Sequence, residues 1–253
     1  MKSVPLRFIT FALFSITLPL GCKQRTHDSS RPFNSEASNA CLAETDPAGC
    51  GISFPQDFKA SEEMYPTFRN KWEDDIEDMK AWEPERIAAG AEHGLTEEEV
   101  TAIFLYTTKL YKEINTELRA NALSEQNKPL VYLAASGLRK LPRVLSKVFR
   151  GTHLEPDVKE KYVRALKNSL PVQELGFVST TEDQTYLAEH FTLNAQYFIE
   201  SATGASVVDF SQFPEEKEVL FAPGSWFQVI EVKDTTFKEL PGTVIMMKEL
   251  LPN

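Results

Sequence analysis

The sequence has few of the residues that build metal sites. It contains three cysteines and four histidines in 253 residues. The histidines, His27, His93, His153 and His190, lie in separate segments, and neither a CxxC nor an HExxH spacing occurs. Zinc ligands recur at short spacings of this kind. The sequence therefore predicts no metal site.

Glycine signatures and positive charge are also scarce. The 11 glycines form no P-loop, no GxGxxG turn and no GxSxG elbow, which sets aside the chemistries that depend on those motifs. Lys and Arg number 27 against 37 Asp and Glu, and the formal net charge is −10. Binding to a phosphate backbone relies on positive charge. The charge balance therefore argues against nucleic acid as a partner.

Long apolar runs are absent except near the first residue. The run FITFALFSITLPL covers residues 8–20, and it is shorter than the roughly 20 apolar residues that a membrane-spanning helix needs. Lys2 and Arg7 precede it, which gives the basic start and apolar middle of an export signal. We therefore expect residues 1–22 to be a signal peptide and the mature protein to be exported.

The end of this signal, LPLGC, is similar to a bacterial lipoprotein box in which Cys22 becomes the lipidated first residue. Pro19 stands where leucine is usual, so an ordinary secretory signal is the alternative. The protein would then be secreted or anchored to a membrane through Cys22. Cys41 and Cys50 could close a short disulfide loop in an oxidising compartment. The alternative is two free thiols in a linker.

The rest of the composition is that of an ordinary globular protein, with 42% hydrophobic and 25% charged residues,. Residues 23–57 are rich in Ser, Asn, Pro and Gly, which is typical of a tether. We expect a folded domain over 58–253. Within it we expect a helical subdomain at 58–141 and a β-rich core at 142–253, giving an α+β class.

The helical pattern is clearest after Gly94. Thr96 and Glu99 form a capping-box signature, which marks a helix start. A stripe of residues then recurs at steps of three and four, as expected for one continuous amphipathic helix; its members are Val100, Ile103, Phe104, Thr107, Tyr111, Ile114 and Leu118. Two further helices are predicted over 67–82 and 130–141.

Short β-type runs separated by turns dominate the second half. The predicted strands cover 143–151, 176–181, 196–201, 206–210, 218–221, 225–232 and 243–250. Helices are predicted over 157–170 and 181–191.

Three local features of this half could carry chemistry. They are Arg150 in KVFRGTHL, the run Ser179, Thr180 and Thr181 in GFVSTTED, and the pair Glu216 and Glu218 in FPEEKEVLF. Taken singly, each has an ordinary explanation: a surface charge at a strand end, a turn or helix cap, and a solvated acidic string.

Taken in this order and in a β-rich setting, the three features resemble the Arg-Ser-Glu signature of the mono-ADP-ribosyltransferases. The first-half helix is similar to the family's helical element, with its YT and its IN followed by LR. The stretch EVLFAPGSWFQV is similar to the strand and turn that follow the family's catalytic glutamate. The resemblance extends over roughly 61–250.

The resemblance implies a fold and an activity. The fold is a mostly antiparallel split β-sandwich with an amino-terminal helical subdomain. The activity is transfer of ADP-ribose from NAD to an arginine of a protein acceptor, with release of nicotinamide and without a metal. Arginine-modifying members carry Glu at the position of Glu216, whereas asparagine-modifying members carry Gln.

The resemblance also assigns roles to the two glutamates. Glu218 would hydrogen-bond the ribose hydroxyl while an oxocarbenium-like charge develops on the sugar. Glu216 would orient the acceptor guanidinium and accept its proton, because a guanidinium with a pKa above about 12 needs a carboxylate to become a nucleophile.

The remaining roles concern NAD. Arg150 would bind the NAD phosphates, and Gly151 would let the nucleotide approach the backbone. Ser179 would fix Glu218 by a hydrogen bond. Thr180 and Thr181 would shape the strand that supports the nicotinamide pocket, with Thr181 replacing the family's usual serine.

Phe213 precedes the two glutamates, and we expect it either to contact the protein substrate or to anchor the loop in the core. Two alternatives to the transferase stay open. One is an NAD glycohydrolase in which water replaces the arginine at the same site. The other is a catalytically silent surface lipoprotein that keeps the fold.

Overall fold

The structure is a computed structural model, and it describes residues 60–190 and 193–251. The predicted signal peptide and tether, with Cys22, Cys41 and Cys50, lie outside the described residues. None of the helices in the described part combines the length and the apolar character that crossing a membrane requires.

Helices make up the first part of the described chain. The three predicted helical regions are confirmed. A further helix, Pro84–Glu92, was not predicted, because Ile87 is the only large apolar residue in its sequence PERIAAGAE. In chain order the helices are α1 Met64–Trp82, α2 Pro84–Glu92, α3 Glu97–Leu105, α4 Tyr111–Arg119 and α5 Lys128–Lys140.

The predicted capping box is confirmed at the start of α3. The Glu99 backbone N–H donates to Thr96 Oγ1 at 3.3 Å, and the Thr96 N–H donates to Glu99 Oε2 at 2.9 Å. The Glu99 side chain is buried. Ser136 Oγ and Lys140 Nζ donate to it from α5 at 2.8 and 2.7 Å. The same carboxylate therefore caps one helix and ties it to another.

The predicted single helix is interrupted between α3 and α4 by a π-helical segment, Tyr106–Leu110. The apolar stripe is buried on both sides of it, at Val100, Ile103, Ile114 and Leu118. A π-helical turn accommodates an additional residue and thereby rotates α4 about the helix axis relative to α3. Tyr106, the first residue of this segment, is outside the predicted stripe and is also buried, with 2% of its surface exposed.

The second part of the chain is rich in strands. In chain order its elements are β1 Lys147–Thr152, α6 Pro156–Asn168, β2 Pro171–Glu174, β3 Val178–Thr181, α7 Gln184–His190, β4 Ala195–Glu200, β5 Ala205–Ser206, β6 Glu218–Phe221, β7 Ser225–Phe237 and β8 Leu240–Leu250. Both predicted helices are confirmed.

The strands form an eight-stranded sheet in the order β2-β7-β8-β4-β1-β3-β6-β5. Neighbouring strands are antiparallel except for β4 and β8, which are parallel. The junction between β1 and β3 is narrow, with Phe149 opposite Thr181 as its registered pair. The sheet thus divides into a larger and a smaller part at this junction. The predicted mostly antiparallel α+β fold is confirmed.

Two strand predictions need correction, and one strand was missed. The predicted strand over 143–151 begins only at Lys147. The predicted strand over 206–210 is wrong beyond Ser206, because the chain turns there: the backbone N–H groups of Phe210 and Ser211 both donate to the Val207 carbonyl. Val207 and Phe210 are buried as loop residues. The strand β2 was not predicted, because Val172 is its only strongly apolar residue.

Strands β3 and β6 lie between two apolar clusters. Phe177 and Leu220 pack into a cluster formed mainly by the helices. Their neighbours Val178 and Phe221 pack into a cluster within the sheet and α6. Because successive strand residues point to opposite faces, each strand contributes to both cores. These two strands carry the candidate site.

Candidate active site

Strand pairing brings the Ser-Thr-Thr run beside Glu218. In the β3–β6 ladder, Ser179 lies opposite Leu220 and Thr181 lies opposite Glu218. Residues paired across a ladder share a face of the sheet, and Leu220 marks this face as the one that meets the helices. Glu218 is 7% exposed, and its carboxylate is hydrogen-bonded by Ser179.

Burial sets the acidity of Glu218. Loss of solvation raises its pKa from an ordinary 4.5 to about 7, because a low-polarity environment disfavours the charged form. The hydrogen bond from Ser179 lowers the pKa, the nearby charge of Glu216 raises it, and Arg150 lowers it. The carboxyl group therefore titrates near neutral pH, which is a common property of functional acids.

Arg150 lies on β1 beside this pair. Its guanidinium donates to the Ser179 carbonyl oxygen at 3.1 Å, which connects β1 to β3 next to their narrow junction. Gly151 follows it and is buried. The structure thus brings the predicted arginine, serine and glutamate together at one place.

Arg119, at the end of α4, is a site residue that was not assigned a role from the sequence. Its side chain remains accessible to solvent. Desolvation of the guanidinium and the positive charge of Arg150 lower its pKa, while Glu174 acts in the opposite direction. Two guanidinium groups therefore lie close enough to repel, which favours binding of an anion between them. The LR of the helical resemblance was the available signal.

A buried clamp holds the helices against β3. Asn115 Nδ2 donates to the Tyr106 hydroxyl at 2.9 Å, and the Phe177 N–H donates to Asn115 Oδ1 at 2.9 Å. The Tyr106 and Phe177 rings are 4.3 Å apart. Burial and then the charge of Glu218 raise the pKa of Tyr106. Tyr106 therefore forms part of the wall around Glu218.

Gly176 allows this clamp to form. A Cβ atom at this position would lie 2.6 Å from Asn115 Oδ1, which is too close for any other residue without a shift of Asn115. The absence of a side chain at Gly176 lets α4 approach the start of β3.

Glu216 lies on a short 3₁₀ turn, Pro214–Glu216, immediately before β6. Its backbone carbonyl accepts a hydrogen bond from Thr181 Oγ1 at 2.6 Å. Two tyrosines face its carboxylate from different elements. Burial, then the charge of Glu216, raises the pKa of both Tyr186 and Tyr111, to about 12 for Tyr186. Neither tyrosine was identified from the sequence as a neighbour of Glu216.

The other predicted residues occupy supporting positions. Thr180 is buried, and its Oγ1 donates to the Val219 carbonyl at 2.7 Å, which locks β3 to β6 from the face opposite Glu218. Phe213 is half-buried, and its N–H donates to Ser211 Oγ at 3.2 Å.

Two other features of the described part lie apart from this site. No cluster of three or more His, Cys, Asp or Glu side chains within 60–190 and 193–251 is arranged to hold a metal ion. A groove of about 800 Å³ runs beside α1, α2 and α3, and its lining includes Tyr65, Arg69 and Glu98. It shares no lining residue with the site around Glu218.

Comparison with known proteins agrees with this geometry. Residues 35–240 match the family described as ART, NAD:arginine ADP-ribosyltransferase. The Mav protein of Mycobacterium avium (strain 104) is 35% identical over 158 residues, which are 62% of this chain and 18% of that protein. The NAD(+)–protein-arginine ADP-ribosyltransferase Tre1 of Pseudomonas putida (strain GB-1) is 36% identical over 156 residues, 58% of this chain and 30% of that protein.

The alignments to these two relatives thus span less than a third of the relatives' own length. Among solved structures, the ADP-ribosyltransferase HopU1 of Pseudomonas syringae pv. Tomato DC3000 superposes with a TM-score of 0.64 at 18% identity. The superposition covers 76% of this chain and 99% of HopU1. At this identity the similarity establishes the fold.

Proposed function

Because the chain belongs to the NAD:arginine ADP-ribosyltransferase family, we propose that it transfers ADP-ribose from NAD to an arginine of a protein acceptor. The observation that carries the proposal is Glu218: a buried carboxylate at a strand start, held by Ser179 and within the field of Arg150. Burying a charged carboxylate costs free energy. This cost is explained if the carboxylate stabilises positive charge on a bound substrate.

NAD fits the charges of this site. Arg150 and Arg119 would bind its two phosphate groups, because a guanidinium matches phosphate oxygens with charge-assisted hydrogen bonds. Gly151, without a side chain, would leave room for the nucleotide beside β1. Desolvation and then the charge of Arg150 lower the pKa of Arg119 in the free protein. Binding of the phosphates would relieve the repulsion between the two arginines.

Glu218 would act on the ribose next to nicotinamide. In the reaction, the bond between the ribose C1′ and the nicotinamide nitrogen breaks, and the nicotinamide leaves with the electron pair. Positive charge then develops on the sugar, as in glycoside cleavage. The ionised carboxylate of Glu218 would stabilise this charge through a hydrogen bond to the ribose hydroxyl, while Ser179 keeps the carboxylate in place.

Glu216 would serve the acceptor. The guanidinium nitrogen of the acceptor arginine attacks C1′, and its proton passes to the Glu216 carboxylate as the new bond forms. Glu216 lies at the surface end of the site on a partly exposed turn, so a protein-bound arginine can reach it. This placement separates the group that acts on NAD from the group that acts on the acceptor.

The decisive experiment incubates residues 23–253 with labelled NAD and agmatine, a small guanidine, and measures labelled agmatine and free ADP-ribose together. We expect labelled agmatine from the wild-type protein and neither product from Glu218→Gln. Glu216→Gln should lose transfer to agmatine and retain some hydrolysis. Glu215→Gln changes the exposed neighbouring acid and should behave as wild type.

Other results would select the alternatives. Free ADP-ribose alone from the wild-type protein would identify an NAD glycohydrolase. No turnover, together with no rise in melting temperature on adding NAD, would identify a protein that keeps the fold without the chemistry.

We also propose export, with lipid attachment at Cys22. Support comes from the basic start and the apolar run of residues 8–20 followed by Cys22,. Expression of the full chain with labelled palmitate should label the wild-type protein in the membrane fraction. Cys22→Ser should lose the label, and unlabelled wild-type protein in the medium would instead indicate plain secretion.

A further inference from the structure

The turn that carries Glu216 is held from outside by the segment at the end of β3. Thr181 Oγ1 donates to the Glu216 carbonyl at 2.6 Å, and the Glu182 N–H donates to the Lys217 carbonyl at 3.2 Å. Lys217 Nζ then pairs with Asp183 Oδ2 at 2.9 Å. Three successive residues, beginning with the last residue of β3, thus hold two successive residues of the turn.

Asp183 is itself fixed in place. Its Oδ1 accepts hydrogen bonds from the backbone N–H groups of Thr185 and Tyr186, both at 3.0 Å. Its own N–H donates to Thr181 Oγ1 at 2.9 Å. One carboxylate oxygen therefore caps the start of α7, which leaves the other oxygen for Lys217. Because the Asp183 side chain is held by α7, its ion pair with Lys217 restrains movement of the turn.

Lys217 is an unexpected residue for its backbone conformation. Its φ is 46°, in the left-handed region, which is unfavourable for a residue with a side chain and favours glycine. The Lys217 ammonium group reaches Asp183, so the side chain at this strained position makes a specific contact.

The same segment reaches the side chain of Glu216. Tyr186 lies in the first turn of α7, and its backbone N–H is one of the two that Asp183 caps. Its hydroxyl hydrogen-bonds the Glu216 carboxylate. The backbone of the turn and the carboxylate it presents are therefore both held by residues between Thr181 and Tyr186.

Glu218 does not depend on these contacts in the same way. It belongs to β6, where it is paired with Thr181 in the ladder and hydrogen-bonded by Ser179. Loosening the turn should therefore displace Glu216 while leaving Glu218 and its strand in position.

We propose that the Asp183–Lys217 ion pair and the Tyr186 hydroxyl are positioning groups that set how ADP-ribose is divided between an acceptor arginine and water. This inference rests on the transferase function proposed above. With the turn held, Glu216 meets the guanidinium at the distance needed for attack on C1′. With the turn loosened, water competes better for the same activated ribose.

The test measures labelled agmatine and free ADP-ribose in the same reaction for Lys217→Gln, Asp183→Asn and Tyr186→Phe. Asn retains the capping oxygen at 183, while its NH₂ group cannot accept the hydrogen bond or carry the charge that pairs with Lys217. We expect the ratio of transfer to hydrolysis to fall by about tenfold, because a misplaced reacting group can cost up to about 100-fold. Total NAD consumption should change little.

Matched controls separate positioning from general damage. Lys217→Arg keeps the cation and should keep the wild-type ratio of transfer to hydrolysis. Lys167→Gln removes an exposed lysine on α6 and should leave this ratio unchanged. The double variant Lys217→Gln with Asp183→Asn should be no worse than either single variant, since both remove one interaction. Melting curves check that each variant is folded, and an exposed ion pair contributes little to stability.

The outcomes are distinguishable. An unchanged ratio in folded Lys217→Gln and Asp183→Asn would overturn this inference and leave the transferase intact. An equal fall of both products would also overturn it, since the contacts would then serve NAD cleavage. Free ADP-ribose alone from the wild-type protein would remove the transferase proposal, and this inference with it.

Discussion

At the scale of single residues, the proposed role of Glu218 and its burial have opposite effects on the ionisation of its carboxyl group. Its proposed role needs the ionised carboxylate, whereas its burial favours the protonated acid and raises its pKa to about 7. Ser179 and Arg150 oppose this effect by stabilising the charge. The balance places the ionisation of Glu218 within the range of ordinary assay conditions, so it can be observed in kinetics.

The pH dependence of NAD cleavage should therefore report on Glu218. We expect kcat/KM for NAD to rise with pH through a midpoint near 7 and to level off above it, because Glu218 of the free enzyme must be ionised,. Glu216→Gln removes a charge that raises the Glu218 pKa, so the midpoint of residual hydrolysis should move to lower pH. Rates that do not change across the midpoint would contradict this assignment.

Ionisation of Glu218 should also lower the free energy of unfolding of the protein. The folded pKa of about 7 lies above the ordinary 4.5, so the folded state binds more protons between these values and stability falls as pH rises through them. Glu218→Gln should therefore be more stable than wild type at pH 8, by up to about 3 kcal/mol. Urea denaturation at several pH values measures this difference.

The stability difference should shrink as the pH falls toward about 5, where wild-type Glu218 is protonated in the folded protein. The exposed acid Glu215 provides the control, because Glu215→Gln should show no such pH-dependent gain. A Glu218→Gln variant that is less stable than wild type at pH 8 would show that the carboxylate is held by compensating contacts.

At the scale of elements, the link between α4 and β3 depends on Asn115. Its side chain satisfies the buried Phe177 N–H and the Tyr106 hydroxyl. Asn115→Ala should cost about 2 to 4 kcal/mol of unfolding free energy, because it leaves buried groups without partners. Chemical denaturation measures the loss. Thr116→Ala, on the exposed side of the same helix, should change stability by less than about 0.5 kcal/mol.

A second variant tests the contact itself. Gly176→Ala would place a Cβ against Asn115 Oδ1 and should also destabilise the protein. If both changes act on one contact, the double variant should cost less than the sum of the two. Additive effects would mean that Gly176 and Asn115 serve separate purposes.

Element types were predictable where the pattern is local and strong. The capping box at Thr96 and the apolar strand of residues 218–221 depend on neighbouring residues, and both are confirmed. The π-helical segment at Tyr106–Leu110 was not predictable, since no local pattern in its residues marks it and its Tyr106 packs on Phe177, which is distant in sequence. The same holds for Val207 and Phe210, which are buried in a turn that resembles a strand in sequence.

The residues of the candidate site were likewise predictable only where they belong to a local sequence pattern. Arg150, Ser179 and Glu218 could be selected because each belongs to a recognisable motif, and the structure brings them together. The neighbours of Glu216 could not be selected, because Tyr186 and Asp183 act through the folded turn. The Asp183–Lys217 contact joins residues 34 positions apart in sequence, and no local pattern reports such a pairing.

For the molecule as a whole, the short strands β3 and β6 connect the two apolar cores. The helical cluster includes Phe177, Phe210 and Leu220 from the second half of the chain. The sheet cluster includes Val178 and Phe221 from the same strands. The helical cluster at 58–141 is therefore completed by side chains of the expected subdomain at 142–253, and loss of the helices would expose part of the second subdomain.

Unfolding should consequently occur in one step. We expect residues 58–253 to show a single calorimetric transition, with equal calorimetric and van't Hoff enthalpies. Leu133, on α5, is fully buried in the helical cluster, and Leu133→Ala should cost about 2 to 5 kcal/mol. The strands should then unfold at the same lower temperature as the helices, because β3 and β6 lose support on one face.

The alternative is a sheet that survives loss of the helices. Residues 142–253 expressed alone would expose Phe177, Phe210 and Leu220, which the helices cover in the described structure, so we expect this fragment not to fold cooperatively. A second, unshifted transition in Leu133→Ala, or a cooperatively folded fragment, would show that the sheet cluster is sufficient by itself. The site around Glu218 needs both cores, because Tyr106 and Arg119 reach it from the helices and Arg150 reaches it from the sheet.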